Sequence, residues 1–384
     1  MKKINVLFIS HDSGLSGAPR SMINLATTLR EYNINPYILI PSHGDIEKVL
    51  KRYKLKYFII PYYKCFREIG KVNILKECLW EIENIKSIIK IISLIKKLEI
   101  NILHSNSLAV DVGAVAAYFC GCKHVWHIRE FMEEDYGFEH YLKKKIKFLI
   151  NRADRIISIS DAIKKKYSKL YRLSDIVMIH NGLPLNVYSI DKKEIFKKNN
   201  INMLISGVIC RGKGQLESIE MIEHLKLLGY NNIQLYIAGT GNVDYVKRLK
   251  DIVISKKLSN NVNFIGFHND MKEVRLNMDI ELICSKNEAF GRVTVEAMLG
   301  NLLVIAANTG GTKEIIKNRV NGLLYEQGNV TNLLDNVIFA LKNKELIIKY
   351  IQRAKTDAEN LYDIHNTAQK IVKLYEDLLQ VKKI

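Results

Sequence analysis

The sequence predicts an α/β protein of two doubly wound domains, each with a parallel sheet covered by helices on both faces. Two observations support this fold class. The chain has 384 residues and is 48% hydrophobic, which exceeds what one core usually serves and supplies enough apolar material for two. Strand-length apolar runs also alternate with helical patterns of roughly 10 to 15 residues, as in successive βαβ units.

The first half begins with the strand INVLFIS, the loop HDSGLSGAPR and the helix SMINLATTLR. Further strands are predicted at PYILIP, KYFII, NILHSNS, KHVWHI and RIISIS. The segment IENIKSIIKIISLIKKLE predicts a helix on this sheet, because its isoleucines repeat at helical spacing opposite its lysines. The predicted buried stripe consists of Ile85, Ile88, Ile92 and Ile95.

Polar sequence with proline and glycine interrupts this alternation at residues 178–200, and a new strand follows at NMLISGV. We therefore predict a first domain at residues 1–188 and a second at residues 189–364. The second domain has further strands at IQLYIAG, VNFIGF, IELICS and LLVIAAN. Ligands of open parallel sheets bind at the carboxyl ends of the strands, which here carry the loops ICRGKGQ, GTGN, SKNEAFGR and NTGGTKE.

The cysteine content and the apolar runs suggest a cytoplasmic protein. The six cysteines are scattered, and the Cys-Gly-Cys spacing of Cys120 and Cys122 fits neither a zinc knuckle nor a thioredoxin-type pair. The run INVLFIS is too short for a secretory signal. We also find no run that approaches the roughly 18 uncharged apolar residues of a membrane span.

The positive charge is concentrated in the first half. The net charge is +18, and residues 1–200 contribute 34 Lys and Arg against 20 Asp and Glu. The clusters Lys143–Lys145 with Lys147, and Lys164–Lys166, alternate with Ile and Leu at helical spacing. No nucleic-acid-binding signature accompanies them, so nucleic acid is not the expected partner. Two interpretations stay open, namely peripheral contact with an anionic membrane and a solvated lysine-rich face.

The stretch SKNEAFGRVTVEAMLG holds two glutamates, Glu288 and Glu296. They could be solvated helix charges, a glycosidase carboxylate pair, or two carboxylates that bind hydroxyl groups. A helix that starts near Phe290 or Gly291 separates them by about 12 Å along its axis, more than the roughly 5 to 9.5 Å of a glycosidase pair. This separation suits the two ends of a nucleotide sugar, with Glu288 at the sugar and Glu296 at the ribose. The N–H groups of Phe290, Gly291 and Arg292 would then face the diphosphate.

Together, these motifs resemble those of the retaining glycosyltransferases of family 4, also called glycosyl transferases group 1. The resemblance covers most of the second half, through GKGQ, IAGTG, FIGF, S-x-x-EAFGRVTVEAM and GG-x-x-E. It is looser in the first half, through the glycine-rich first loop, HSNS, WHIRE and IISISDAI. The family usually has an arginine where this chain has Val208, and we expect Arg211 to reach the same phosphate.

The resemblance implies the GT-B fold, in which two Rossmann-like domains face a cleft. It also implies that residues 365–384 form a C-terminal helix that packs back on the first domain. The implied catalytic residues are Glu288, which positions the donor, His127, which lies against the donor sugar, and Lys213, which neutralises the leaving nucleotide. Lys213 could instead be a solvent lysine in a turn, and His127 a structural histidine. The implied donor-binding residues are Gly17, Arg211, Lys213, Phe290, Gly291, Arg292 and Glu296.

The expected activity is retaining transfer of a hexosyl group from a nucleotide-sugar donor to a glycan or lipid-linked acceptor. The resemblance implies that no metal or other cofactor is needed, in agreement with the lack of an Asp-x-Asp motif. A role in bacterial cell-surface polysaccharide synthesis is expected, in the cytoplasm or on the inner face of the cell membrane. The alternatives are a non-catalytic nucleotide-sugar-binding partner subunit and a nucleotide-sugar epimerase or hydrolase of the same fold.

Overall fold

The computed structural model describes residues 3–191, 196 and 200–380, apart from the side chains of Asp135 and Tyr136. Contacts divide the chain into two compact units. The first consists of Met1–Gly182 and Ile364–Ile384, and the second of Leu183–Asp363. The chain therefore passes from one unit to the other after residues 182 and 363. The boundaries predicted from the sequence are at residues 188 and 364.

The first unit has a seven-stranded parallel sheet in the order β3-β2-β1-β5-β6-β8-β9, and β4 pairs with β7 in a separate antiparallel ladder. Its strands are β1 Ile4–Ile9, β2 Ile34–Ile40, β3 Lys56–Ile59, β4 Phe66–Glu68, β5 Ile102–Ser105, β6 Lys123–Ile128, β7 Phe138–His140, β8 Arg155–Ser158 and β9 Ile176–Met178. Its helices before residue 182 are α1 Gly17–Leu29, α2 Ile46–Arg52, α3 Ile74–Lys97, α4 Val112–Cys120, α5 Glu133–Tyr136, α6 Lys143–Ile150 and α7 Asp161–Tyr171.

The second unit has a six-stranded parallel sheet in the order β12-β11-β10-β13-β14-β15. Its strands are β10 Ile201–Ser206, β11 Ile233–Ala238, β12 Val262–Gly266, β13 Ile280–Ile283, β14 Leu303–Ala307 and β15 Leu323–Tyr325. Its helices are α8 Leu185–Tyr188, α9 Gln215–Leu227, α10 Val243–Ser255, α11 Met271–Leu276, α12 Arg292–Leu299, α13 Thr312–Ile315, α14 Val330–Lys342 and α15 Lys344–Leu361.

Both sheets confirm the predicted doubly wound fold class. In each unit the chain adds strands on one side and then returns to add strands on the other. The order therefore reverses between β1 and β5 in the first unit and between β10 and β13 in the second. Such a reversal opens a crevice at the carboxyl ends of the two strands, where ligands of this fold bind. The loops after β10 and β13 are thus the first place to look for a site in the second unit.

The last helix, α16 Ile364–Leu379, belongs to the first unit. Its apolar face, which includes Ile371 and Tyr375, is buried in the same cluster as Phe8 and Met22. The helix packs beside α1 and thus completes the core on one face of the first sheet.

The α3 prediction is wrong at one position. Ile88 and Ile95 are buried as expected and Ile92 is partly buried against the same core, but Ile85 is 57% exposed. The buried row continues instead through Asn84, whose amide oxygen accepts from the Tyr63 N–H and whose amide nitrogen donates to the Tyr63 carbonyl. A polar side chain that satisfies a neighbouring backbone can replace an apolar one in a packed face, and apolar spacing alone does not reveal it.

Within the described residues, no helix combines the length and the apolar character needed to cross a bilayer. All six cysteines are free thiols.

Candidate functional site

Lys213 lies in the loop after β10, at the point where the strand order of the second sheet reverses. The loop ends in a 3₁₀ turn, Arg211–Lys213, followed by Gly214 with a φ of 74°. A Cβ atom at Gly214 would lie 2.4 Å from the Cβ of Cys284, so only glycine lets this loop rest on the end of β13. The Lys286 N–H donates to the Gly212 carbonyl at 2.9 Å, which ties the two loops together.

Lys213 contacts Glu288 directly. Its Nζ lies 2.8 Å from Glu288 Oε2 and 3.2 Å from Ser285 Oγ. Both side chains are only partly exposed, so the pair is shielded from solvent more than a surface ion pair is. The structure thus brings a cation and a carboxylate from the loops after β10 and β13 into direct contact, although 75 residues separate them in sequence.

The helix predicted between the two glutamates is present as α12, and Gly291 is its N-cap. Gly291 has a φ of 104°, a conformation that favours glycine. Phe290 is buried, and its ring packs edge-on against Tyr362 at 5.7 Å. The positive end of the α12 dipole and its first N–H groups therefore lie next to Glu288 in sequence, as an anion site requires.

The two glycines of the GG-x-x-E motif support this loop from the other side. A Cβ atom at Gly310 would lie 2.2 Å from the Glu288 carbonyl oxygen, and one at Gly311 would lie 2.4 Å from that of Phe290. The Gly311 N–H donates to the Glu288 carbonyl at 2.6 Å. These glycines are thus needed because another backbone passes directly over them.

Glu296 does not contact Lys213 or Glu288 among the described interactions. Its carboxylate instead accepts from Arg275 Nη1 at 2.9 Å and from Arg292 Nε at 2.9 Å. Although burial opposes ionisation, these two guanidinium groups hold the pKa of Glu296 below its ordinary value. Glu296 is therefore a buried carboxylate whose position is set by two arginines.

This network extends across the core of the second unit. Arg275 also binds Glu281, with Nε–Oε2 at 2.8 Å, and Glu281 accepts from Ser206 Oγ at 2.6 Å. Arg292 donates to the Tyr188 hydroxyl at 2.6 Å. The sequence analysis missed Arg275 and Glu281. Glu281 could have been found as the one carboxylate within the apolar strand IELICS, since a charge in a buried strand needs a partner.

Arg211 lies in the same turn as Lys213 but lines a different part of the surface. With Asn242, Tyr245 and Arg248 it borders a groove of about 430 Å³ beside α10. Val208, where the family usually has arginine, lines the same groove. Arg211 and Val208 are thus neighbours in space, and a phosphate contact from Arg211 stays a prediction.

In the first unit, His127 lies on β6 beside His104 of β5. His127 Nδ1 is 3.2 Å from Arg129 Nη2 and 3.1 Å from His104 Nε2, and His104 Nδ1 is 2.6 Å from the Tyr375 hydroxyl. A guanidinium only donates, so His127 Nδ1 is the acceptor and its proton is on Nε2. Burial and the neighbouring Arg129 keep the pKa of His127 well below its ordinary value.

The His127 Nε2 atom is buried and has no partner among the described residues. Because a buried N–H is costly without an acceptor, this neutral donor is a candidate contact for a ligand, and its role at the donor sugar stays a prediction. The Tyr375 hydroxyl of α16 contacts His104, and His104 contacts His127. Tyr375 can therefore set the tautomer of His127 through His104. His104 was missed by the sequence analysis, although a histidine inside the apolar strand NILHS was a usable signal.

Gly17 is the first residue of α1, directly after the loop that follows β1. Asn106 joins the start of α1 to Arg129, the arginine that contacts His127. Its amide nitrogen donates to the Ala18 carbonyl at 3.1 Å, and its oxygen accepts from Arg129 Nε at 2.7 Å. A Cβ atom at Gly17 would meet nothing within 4 Å. Packing therefore does not require this glycine, and the close approach of a ligand to its backbone stays a prediction.

Two family profiles match nearly consecutive parts of the chain. "Glycosyltransferase Family 4" matches residues 15–187 and "Glycosyl transferases group 1" matches residues 188–357. Their junction lies within six residues of the boundary between the two units at residue 182.

Several curated proteins are similar to this chain. An "Uncharacterized glycosyltransferase" of Haemophilus influenzae is 23% identical over 76% of this chain and 79% of its own length. The "Capsular polysaccharide biosynthesis glycosyltransferase CapM" of Staphylococcus aureus is 23% identical over 92% of each chain. The "N-acetyl-alpha-D-glucosaminyl L-malate synthase" of Bacillus anthracis is 25% identical over 63% of each chain, so this chain spans less than two thirds of that relative.

Among solved structures, the Anabaena protein HepE in complex with UDP and glucose superposes with a TM-score of 0.82. It is 22% identical, and the match covers 97% of this chain and 100% of HepE. The fold of the two chains is therefore the same.

Proposed function

This chain belongs to the glycosyltransferases of family 4 and has the GT-B fold, and on that premise we propose that it is a retaining hexosyltransferase. It moves a sugar from a nucleotide-sugar donor to a glycan or lipid-linked acceptor in cell-surface polysaccharide synthesis. The observation that carries this proposal is the contact of Lys213 with Glu288 beside the N-terminus of α12. A cation, a carboxylate and a helix N-terminus are together the groups that a sugar diphosphate needs.

Each group has a separate role in the proposed donor site. Lys213 and the first N–H groups of α12 bind the diphosphate and stabilise the charge that develops as the sugar leaves. Glu288 accepts hydrogen bonds from the transferred sugar, and Glu296 accepts them from the ribose. The family resemblance assigns a further contact with the sugar to the neutral Nε2–H of His127, which belongs to the first unit. The acceptor hydroxyl attacks on the face that the diphosphate leaves, so the anomeric configuration is retained.

The proposed reaction needs no metal ion, because protein groups neutralise the leaving diphosphate. We further propose that the enzyme works in the cytoplasm, at the inner face of the cell membrane. The UDP and glucose bound to HepE make UDP-sugars the first donors to test.

The test is incubation with a panel of nucleotide sugars, each with and without sugar or lipid-linked acceptors and with and without EDTA. We expect release of nucleoside diphosphate that rises with acceptor and is unchanged by EDTA. Equal release without acceptor would favour the hydrolase alternative. Binding of nucleotide sugar with no release for any donor and acceptor would favour the non-catalytic subunit.

The two glutamates should respond differently to neutralisation. Glu296→Gln should weaken binding of the nucleoside diphosphate by about 1–3 kcal/mol, the range for a lost hydrogen bond to a charged group. Glu288→Gln should change that affinity less and chiefly lower turnover, since Glu288 is assigned to the sugar. Calorimetric titration with the diphosphate measures the first effect, and a circular dichroism melt checks that both variants fold. An affinity of Glu296→Gln equal to that of the wild type would contradict the assignment.

A further inference from the structure

The solvent side of α3 presents an apolar row that the proposed transfer chemistry does not use. We call it the α3 stripe: Leu75, Leu79, Ile82, Ile85 and Ile89, which are 51–80% exposed. Leu75, Leu79, Ile82 and Ile89 are spaced so that they share one side of the helix. Single exposed aliphatic residues are common, but a continuous row of them on one face marks an interaction surface.

The opposite side of α3 is packed, so this exposure does not arise from a detached helix. Ile88, Ile91 and Ile95 lie in the same core cluster as Leu7 and Leu103 of the first sheet. The helix therefore has two apolar faces, and the core uses only one of them.

The acidic residues of α3 are directed largely towards the protein. Glu77 binds Arg67 at 3.2 Å, and Glu81 binds Lys145 at 2.5 Å. On the exposed surface lie Lys76, Lys86 and Lys90, with Glu83 as a partner for Lys86. The stripe is thus an apolar row with a cationic border, the composition of helices that lie in the headgroup region of a bilayer.

The lysine cluster at residues 143–147 is less available than the sequence suggests. Lys143 pairs with Glu139 at 2.7 Å, and Lys145 pairs with Glu81 and also with Asp111 at 2.8 Å. Two of the four lysines in this cluster are therefore neutralised by acidic side chains, contrary to the expectation that all four face a partner. Only Lys144 and Lys147 of this cluster are exposed without a described ion pair.

The second lysine cluster, Lys164–Lys166, is also partly neutralised. Lys165 pairs with Asp161 at 2.6 Å, and Lys166 pairs with Glu134. Membrane binding by this protein therefore requires a surface other than these two lysine clusters.

We propose that the α3 stripe docks on a bilayer that contains anionic phospholipids. This inference deepens the proposed function, since it assigns the surface that would bring the enzyme to a lipid-linked acceptor. Lys90 decides between a bilayer and a second copy of the chain, because it is exposed and has no ion pair among the described residues, whereas Lys86 pairs with Glu83. It follows Ile89 at the edge of the stripe, where a second copy would bury its charge against apolar side chains. On a bilayer its ammonium group reaches the lipid phosphates while Leu79 and Ile82 enter the apolar layer.

The experiment is co-sedimentation of the full chain with vesicles of phosphatidylcholine and phosphatidylglycerol, against vesicles of phosphatidylcholine alone. The wild type should bind the anionic vesicles and be released by salt. The double variant Leu79→Glu with Ile82→Glu should bind about tenfold or more weakly, because both contributions to binding are reduced. The variant Lys76→Gln with Lys90→Gln removes two exposed lysines without a described ion pair, and it should bind more weakly and with less dependence on salt.

The matched control is Leu227→Glu with Ile254→Glu, two comparably exposed aliphatic residues at helix ends of the second unit. It should bind vesicles as the wild type does. Vesicle binding unchanged in the stripe variant would overturn the proposal. The proposal would also be overturned if the wild type sediments as a dimer and does not bind vesicles, while the stripe variant sediments as a monomer. A second copy of the chain would then cover the stripe.

Two further measurements separate this inference from the proposed function. The stripe variant should retain wild-type affinity for the nucleoside diphosphate in solution, because the stripe lies in the other unit from Lys213 and Glu288. Lys213→Ala should retain vesicle binding. If the wild type binds vesicles through the α3 stripe but transfers no sugar, docking is supported and only the proposed function is rejected.

Discussion

Replacing Lys213 by alanine is expected to lower the transfer rate at least about tenfold, with an upper range near a thousandfold. Lys213 is the only cation in described contact with Glu288, and it is the proposed counter-charge of the leaving diphosphate. A preorganised charge at this point stabilises the transition state more than the bound donor. The rate constant at saturating donor should therefore fall, and a stopped assay of diphosphate release measures it.

The control is Lys286→Ala, an exposed lysine of the neighbouring loop whose backbone N–H, rather than its side chain, holds Gly212. It should leave the rate within about twofold of the wild type. Lys213→Arg should recover part of the lost activity, because it restores the charge with a different shape. Activity that is abolished by EDTA and restored by Mg²⁺ would show that a metal, and not Lys213, neutralises the diphosphate.

Replacing Arg275 by methionine is expected to destabilise the second unit by about 3–5 kcal/mol. Arg275 is buried between Glu281 and Glu296, and methionine fills much of its volume without its charge. Two carboxylates would then stay in the core without their shared partner. Denaturant unfolding followed by far-ultraviolet circular dichroism measures the loss, because both tryptophans, Trp80 and Trp126, lie in the first unit. The control is Arg248→Met, an exposed arginine of α10, with an effect expected within about 0.5 kcal/mol.

The pKa of Glu296 predicts how the effect of Arg275→Met on stability changes with pH. In the wild type the two arginines hold the pKa of Glu296 below its ordinary value. Its ionised form therefore contributes stability above the pKa of the unfolded chain, and this contribution is lost as the pH falls through the lower folded value. Without Arg275 that pKa should rise, so the stability difference between wild type and variant should grow from acid towards neutral pH. A difference that does not depend on pH would mean that lost packing, and not charge, causes the effect.

The sequence predicted the fold class because strand and helix periodicities are local. Runs such as INVLFIS and NMLISGV are almost continuously apolar, as is typical of buried parallel strands. It also predicted the start of α12, because the helix begins just after a glycine with a positive φ at residue 291. The predictions were weaker where a buried position is polar, as at Asn84, since periodicity counts only apolar residues.

The sequence by itself determined which residue types are present at the strand ends, including Lys213, Glu288 and Glu296. Only the tertiary structure decided their partners. Lys213 meets Glu288 because β10 and β13 are neighbours in the sheet, and Glu296 is held by Arg275, which the sequence analysis had not singled out. Likewise, the structure decided which lysines are paired and which apolar residues of α3 face solvent. Ion pairs and burial depend on segments far apart in the chain, and their distance in space follows from the order of the strands.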